Sequence, residues 1–305
     1  MKKIVLVDIS TVLHRVRLST KGEKYGVALL STLDTLKRTL RGYDIHFIQD
    51  FGGSRYRKEL SDIYKAHRTE KIMTEDEERK LAEFRKWNSN LDLFYPFLKC
   101  YKIFGVEADD IICTLYTRLK EQGYEVKCCT IDKDFMTSIP VEDLYNLSKQ
   151  RFFNQEDDRK GLTRKQFKLF QGLLGDQTDN VNGICGEKTA IVLVKNFSSY
   201  KAMREFEGDV NNLVGLTSHN KRYIIKALES LKEEEIWEEL KLTYNLINIF
   251  TDSSKYSEKE WEEYLEIENK IVSDEEVEYV ISEDLEDFLE EMNEIEVLYL
   301  IEEML

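Results

Sequence analysis

The sequence predicts an α/β fold built on a parallel sheet, and three observations carry that prediction. Short apolar runs stop on carboxylates: Ile4-Val5-Leu6-Val7 ends at Asp8, and Ile45-His46-Phe47-Ile48 ends beside Asp50. Between them Val27, Leu29, Leu30, Leu33, Leu36 and Leu40 recur at helical spacing and stop at Gly42, as in a βαβ crossover. A third run, Glu125 to Ile131, ends just before Asp132 and follows a helical stretch from about Glu107 to Gln122. Strands alternating with helices imply a doubly wound sheet whose ligands sit beyond the carboxyl ends of the strands. All three strand-end aspartates then point into one crevice.

At 305 residues the chain is long enough for one large α/β unit and a smaller module. With 42% hydrophobic and 34% charged residues and only two prolines, it reads as ordered and helix-rich. Its apolar stretches fall far short of the roughly 20 residues of a membrane span, and no secretory signal is visible, so a cytoplasmic protein is expected. Cys100, Cys113, Cys128, Cys129 and Cys185 form no CxxC pair and read as reduced core residues. The net charge of −15 argues at first against a nucleic-acid partner. Its distribution reverses that: residues 251–305 hold 21 acidic and 3 basic residues, a local −18, leaving 41 basic and 38 acidic residues in 1–250.

Three regions follow. Residues 1–162 form the α/β unit, with a charged, helix-favouring insertion from about Thr69 to Trp87, in which the aromatics Phe84 and Trp87 are followed by Phe94, Tyr95 and Phe97, and no strand signal. Helical pattern with turns at Gly172, Gly175, Gly183 and Gly186 marks a compact module over 163–250. The acidic end, 251–305, is expected to be helical because Leu285, Phe288, Leu289, Met292 and Ile295 share a helical face.

Acidic residues accumulate where these elements converge. Gly105-Val106-Glu107-Ala108-Asp109-Asp110 opens a helix, and three carboxylates in four residues exceed what capping requires. Asp132 and Asp134 follow a strand, where a period of two sends both to one side. In Gly175-Asp176-Gln177-Thr178-Asp179-Asn180 the aspartates are three apart, neighbours on one face of a helical turn. Any one motif reads as a surface turn or cap, but nine convergent carboxylates repel one another unless cations neutralise them. Oxygen-only ligation indicates a hard ion, Mg²⁺ or Mn²⁺, and a pair of such ions suits phosphodiester hydrolysis.

The motifs resemble the flap-endonuclease and 5′-3′ exonuclease family, especially its bacteriophage 5′-exonuclease and ribonuclease H branch. The resemblance rests on Val7-Asp8 with Arg15, Asp50, Tyr64-Lys65-Ala66-His67-Arg68, Gly-Val-Glu-Ala-Asp-Asp at 105–110, Asp132-Lys133-Asp134 and Gly-Asp-Gln-Thr-Asp-Asn at 175–180, and covers roughly Lys2 to Met203. It implies a PIN-like parallel sheet with helices on both faces, a helix-hairpin-helix module, and a structure-specific 5′ nuclease acting at flaps, nicks or RNA primers in replication. It further implies metal-holding roles for Asp8, Asp50, Glu107, Asp109, Asp110, Asp132, Asp134, Asp176 and Asp179, with Lys65 and Arg68 on the scissile phosphate.

In such proteins the segment after Arg68, here about 66–100, forms a helical arch over the active site. Lys71, Arg79, Lys80, Arg85 and Lys86 would then line a track for a single strand, with Phe84 and Trp87 stacking on bases, while composition alone equally fits an ordinary charged helix with packed aromatics. Arg15, Tyr64, Arg79, Lys80, Gly183, Gly186, Lys188 and Thr189 are the expected DNA contacts. Asn182-Gly183-Ile184-Cys185-Gly186-Glu187-Lys188-Thr189-Ala190 resembles the family's duplex-gripping hairpin with its bound K⁺, although it is about two residues shorter. Ile9 and Ser198 stand where the family commonly has glycine. The expected partners are branched or nicked DNA and RNA-DNA hybrid, with a replication protein at the acidic end, and the expected state is a monomer.

A non-catalytic binder of branched DNA is the alternative from another class. An aspartyl phosphatase would want a carboxylate two residues after Asp8, where Ser10 stands. For the acidic end the readings are a solubilising helical cap, a docking site, or a DNA mimic that competes with substrate for the cationic body.

Overall fold

The computed structural model describes residues 2–13, 24–65, 74–94, 97–179, 181–273 and 281–304. Six strands form one sheet: β1 (Lys3–Asp8), β2 (Asp44–Gln49), β3 (Cys100–Lys102), β4 (Glu125–Thr130), β5 (Leu144–Asn146) and β6 (Arg151–Phe152). Their order is β3-β2-β1-β4-β5-β6. All neighbours are parallel except β6, which runs antiparallel to β5. The expected parallel sheet is therefore present. β1, β2 and β4 read as nearly continuous apolar runs because both faces of the sheet are covered.

One face packs on α4 (Ala108–Glu121). The other packs on α1 (Tyr25–Thr39) and α3 (Glu75–Ser89), while α2 (Arg55–Leu60) sits at the carboxyl edge after β2. The helical module comprises α5 (Arg164–Leu174), α6 (Glu187–Asn196), α7 (Tyr200–Arg204), α8 (Lys221–Ser230) and α9 (Glu234–Ile247). Thr163 starts it with a reciprocal cap, its side chain accepting from the Gln166 N–H while Gln166 accepts from the Thr163 N–H. Its apolar residues join the same cluster as α4, including Phe167, Phe170, Leu193 and Leu228.

The acidic end is helical, as α10 (Glu258–Val272), α11 (Glu283–Glu291) and α12 (Glu296–Met304). These helices divide between the two faces. α10 buries Tyr264, Ile267 and Ile271 on the α4 side, and Leu285, Phe288, Leu289, Val297 and Ile301 fill the α1 side. The N-terminus of α1 has no cap from its own Lys24; the Glu294 carboxylate supplies one, accepting from the N–H of Gly26 at 2.8 Å and Val27 at 3.2 Å. A Cβ on Gly26 would meet Trp87 and Val297, each at 2.6 Å, so this close approach requires glycine. Helices that complete both cores and cap α1 are built into the fold.

Trp87 also departs from expectation. Instead of facing a strand of nucleic acid it is fully buried, stacked near Tyr25 and Phe94 and edge-on to Phe288 at 5.0 Å. A large aromatic in a charged helix becomes core because residues two hundred positions later pack over it. The cysteines behave as read: Cys100, Cys113, Cys128 and Cys129 are buried and all five are free thiols.

Candidate active site

The carboxyl edge of the sheet collects the acids. Asp8 ends β1 and accepts from both the backbone N–H and the hydroxyl of Thr11 in the helical turn of residues 9–13. Asp50, just past β2, accepts from the Ala108 N–H at 2.7 Å and so caps α4 from a neighbouring strand. Glu107 precedes α4, and Asp109 and Asp110 occupy its first turn, at the positive end of the helix dipole. Asp132 and Asp134 do not alternate along a strand, since β4 ends at Thr130. They are set by a turn in which the Asp134 N–H donates to Asp132 at 2.8 Å. Asp176 precedes, and Asp179 ends, a one-turn 3₁₀ segment (Gln177–Asp179) closed by the pairing of Asp176 with Val181.

Two adjacent cavities result. One, about 380 Å³, is lined by Asp8, Asp50, Glu107, Asp109 and Asp132 together with Ser10, Thr11 and Ile131. The other, about 310 Å³, is lined by Asp109, Asp132, Asp134, Asp176 and Asp179 with Tyr64 and Arg57. Lys65, Asp109 and Asp132 border both. Eight of the nine expected carboxylates thus face these spaces, and among the described residues neither lining includes His, Cys or a residue after Ile247. Asp110 lines neither cavity. Its ligand oxygens come within 4.8 Å of those of Glu107 and Asp109, but they are already engaged. Asp110 accepts from Arg57 at 2.5 and 2.9 Å and from the Phe250 N–H at 2.9 Å.

Charge is compensated unevenly. Around Glu107 stand Arg57 at 2.7 Å and Lys65 at 2.6 Å. Burial opposes ionisation of Glu107, but these cations outweigh it and hold the carboxyl below its ordinary range. Lys65 also lies 3.7 Å from Asp179, and burial fails to discharge it because Glu107, Asp179 and Asp109 keep its ammonium protonated. The Tyr64 hydroxyl contacts Glu107 at 3.3 Å and Asp179 at 3.2 Å. Elsewhere the acids face one another. Burial, then Asp50, pushes Asp8 up to about 7. Burial, then Asp132 and Asp176, pushes Asp134 up to about 8. Asp109 and Asp132 are raised as well, burial first in each case.

The remaining expected residues scatter. Gly183 and Gly186 sit in the short hairpin between α5 and α6. A Cβ on Gly183 would lie 2.0 Å from the Leu174 carbonyl oxygen, so the turn needs glycine. Lys188 is exposed, but Thr189 is buried at 6% exposure, which removes its side chain from any duplex. Arg79 and Lys80 lie on α3, where Arg79 pairs with Asp76 and Glu83 and Lys80 with Asp76. Arg15, Arg68 and Lys71 lie outside the described residues. Arg57 was not anticipated. In Arg-Tyr-Arg-Lys it reads as surface charge, and its partners lie 50, 53 and 189 positions away, so no local signal marks it.

Residues 3–169 match the family described as 5′-3′ exonuclease, N-terminal resolvase-like domain. A 5′-3′ exonuclease of Buchnera aphidicola subsp. Schizaphis graminum is 26% identical over 270 residues, 82% of this chain and 87% of the relative. A thermostable DNA polymerase I of Thermus thermophilus is 30% identical over 246 residues, which are 75% of this chain and 28% of the polymerase. The chain therefore spans only about a quarter of that relative. Among solved structures, a bacteriophage T5 5′-exonuclease with bound divalent zinc superposes with a TM-score of 0.74 at 18% identity, over 89% of this chain and 100% of that one. A bacteriophage T5 flap endonuclease complexed with DNA and metal ions gives 0.71 at 18% identity, over 88% and 99%. At such identity these two show a shared fold.

Proposed function

Since the chain belongs to the 5′-3′ exonuclease family, we propose that it is a structure-specific 5′ nuclease that hydrolyses phosphodiester bonds at DNA flaps, nicks or RNA primers during replication. One observation carries the reading: eight carboxylates divide over two adjacent cavities at the carboxyl edge of the sheet, and burial together with neighbouring acids raises Asp8 and Asp134 well above the ordinary carboxylate range.

The donor set fits hard divalent cations. Oxygen donors without His or Cys among the described lining residues suit Mg²⁺, with Mn²⁺ as a substitute, and the upward shifts of Asp8 and Asp134, from burial and then neighbouring acids, support a need for cation there. Asp8, Asp50, Glu107, Asp109 and Asp132 would hold one ion, and Asp132, Asp134, Asp176 and Asp179 the other. Two such ions, when bound, supply an activated water and charge stabilisation at the leaving oxygen. The protein's own groups do the rest. Lys65, on the border of the cavities, is placed to hold a non-bridging phosphate oxygen as negative charge builds, and the resemblance gives Arg68 the same task. Gly183, Gly186 and Lys188, at the uncapped start of α6, would hold duplex backbone, with K⁺ as a further bridge. The acidic outer faces of α10 to α12 are left for a replication protein.

The test is cleavage of a 5′-labelled flap duplex and an RNA-primed duplex, with Mg²⁺ or with chelator, by the intact protein and Asp132→Asn. Metal-dependent products lost in the variant support the reading. Tight junction binding without cleavage contradicts it.

A further inference from the structure

Arg57 is 1% exposed, and every donor on its guanidinium is used. Nε donates to the Leu246 carbonyl at 2.7 Å. One terminal nitrogen donates to Glu107 at 2.7 Å and Asp110 at 2.5 Å, with the Ser54 hydroxyl at 3.4 Å; the other donates to Asp110 at 2.9 Å and the Asn248 carbonyl at 3.1 Å. The ring of Phe250 lies 4.9 Å beneath its central carbon. This single side chain therefore ties α2, the start of α4 and the end of α9 together directly behind the acidic cavities. Its planar fork matches a carboxylate in two-point contact, which an ammonium cannot do.

We propose that Arg57 is the positioning residue of the carboxylate pocket: it takes Asp110 out of the metal-holding set and fixes Glu107, and through the α4 first turn Asp109, toward the cavities. The inference rests on the nuclease reading above and assigns a division of labour within it. Asp110 and Asp109 are adjacent in sequence and identical in chemistry, yet one turns to an internal cation and the other lines both cavities. Glu107 divides its oxygens, Oε2 toward Arg57 and Oε1 toward Lys65. An outer partner that orients a ligand in this way typically contributes about 10–100-fold to metal affinity or activity.

The experiment measures Mn²⁺ binding by electron paramagnetic resonance on the full chain without DNA, for the wild type, Asp109→Asn, Asp110→Asn and Arg57→Lys, with folding of each checked by circular dichroism. Flap cleavage is measured alongside. Expected is a loss of Mn²⁺ affinity of about tenfold or more in Asp109→Asn and in Arg57→Lys, and a change of less than about threefold in Asp110→Asn. Should Arg57→Lys fail to fold, the contrast between Asp109→Asn and Asp110→Asn decides alone. Equal losses in those two, or wild-type Mn²⁺ binding by folded Arg57→Lys, overturn the proposal while leaving the nuclease intact. A wild type that neither binds Mn²⁺ nor cleaves overturns the nuclease reading, and this inference with it.

Discussion

Two halves of one acidic pocket are built on opposite principles. Around Glu107 and Asp110 the fold brings its own cations, Arg57 and Lys65, and the acids there are held in hydrogen-bonded pairs. Around Asp8, Asp50, Asp132 and Asp134 acids face acids, and protonation of Asp8 and Asp134 is favoured up to about 7 and 8. The first half is held in place by its own ion pairs, with Asp110 wholly engaged and Glu107 oriented toward the cavity it lines. The second is tension stored in the fold, which an external cation relieves. Acidic count alone does not reveal a metal site; what matters is which acids the protein leaves uncompensated.

This contrast can be broken most decisively in catalysis. Asp132→Asn should lower flap cleavage by on the order of 10²–10³-fold, the scale of losing one preorganised electrostatic group, while circular dichroism stays unchanged. A loss under tenfold would place Asp132 outside the working set.

Stability should then respond with opposite sign in the two halves. Asp110→Asn weakens the two-point contact on Arg57, which keeps Glu107 and two carbonyls, and should cost about 1–2 kcal/mol in urea denaturation of the metal-free protein. Asp134→Asn relieves repulsion with Asp132 and Asp176 and should leave the metal-free protein as stable as the wild type or more so. Destabilisation of equal size in both would erase the distinction.

A smaller effect concerns pH. Asp8 and Asp134 bind protons more readily folded than unfolded, so their contribution to metal-free stability is full below the unfolded value of 3.8 and is lost as pH rises through about 7 and 8. Thermal unfolding of the metal-free protein should shift to lower temperature between pH 5 and 8, and added Mg²⁺ should restore most at the upper end. A melting temperature that rises with pH across that window would contradict the account. The smallest change belongs to α3, where Arg79 is exposed and paired within its own helix; Arg79→Ala should alter stability by less than about 0.5 kcal/mol.

Much of this was legible in the sequence because the signals were local. Val7-Asp8, Phe47-Ile48 before Asp50, and Cys128-Cys129 before Asp132 announce parallel strands ending in acids, and the structure aligns them as neighbours. β3, β5 and β6 escaped because three-residue and two-residue strands carry no period to read. Trp87 looked like a stacking residue because nothing near it in sequence says that Phe288 will cover it. The apolar face of the acidic end was legible, but its complement on α1 lies near the other terminus, so nothing in the sequence said what it packs on. The same limit hid the difference between Asp109 and Asp110. Both stand in the first turn of α4, and only the fold brings Arg57 to one of them.

The most direct measurement is anomalous scattering from crystals soaked in Mn²⁺. The account predicts peaks within the two cavities, one against Asp8 and Asp50 and one against Asp134 and Asp176, with Arg57 still on Asp110. A peak coordinated by Glu107, Asp109 and Asp110 with Arg57 displaced, and none at Asp8 or Asp134, would contradict it.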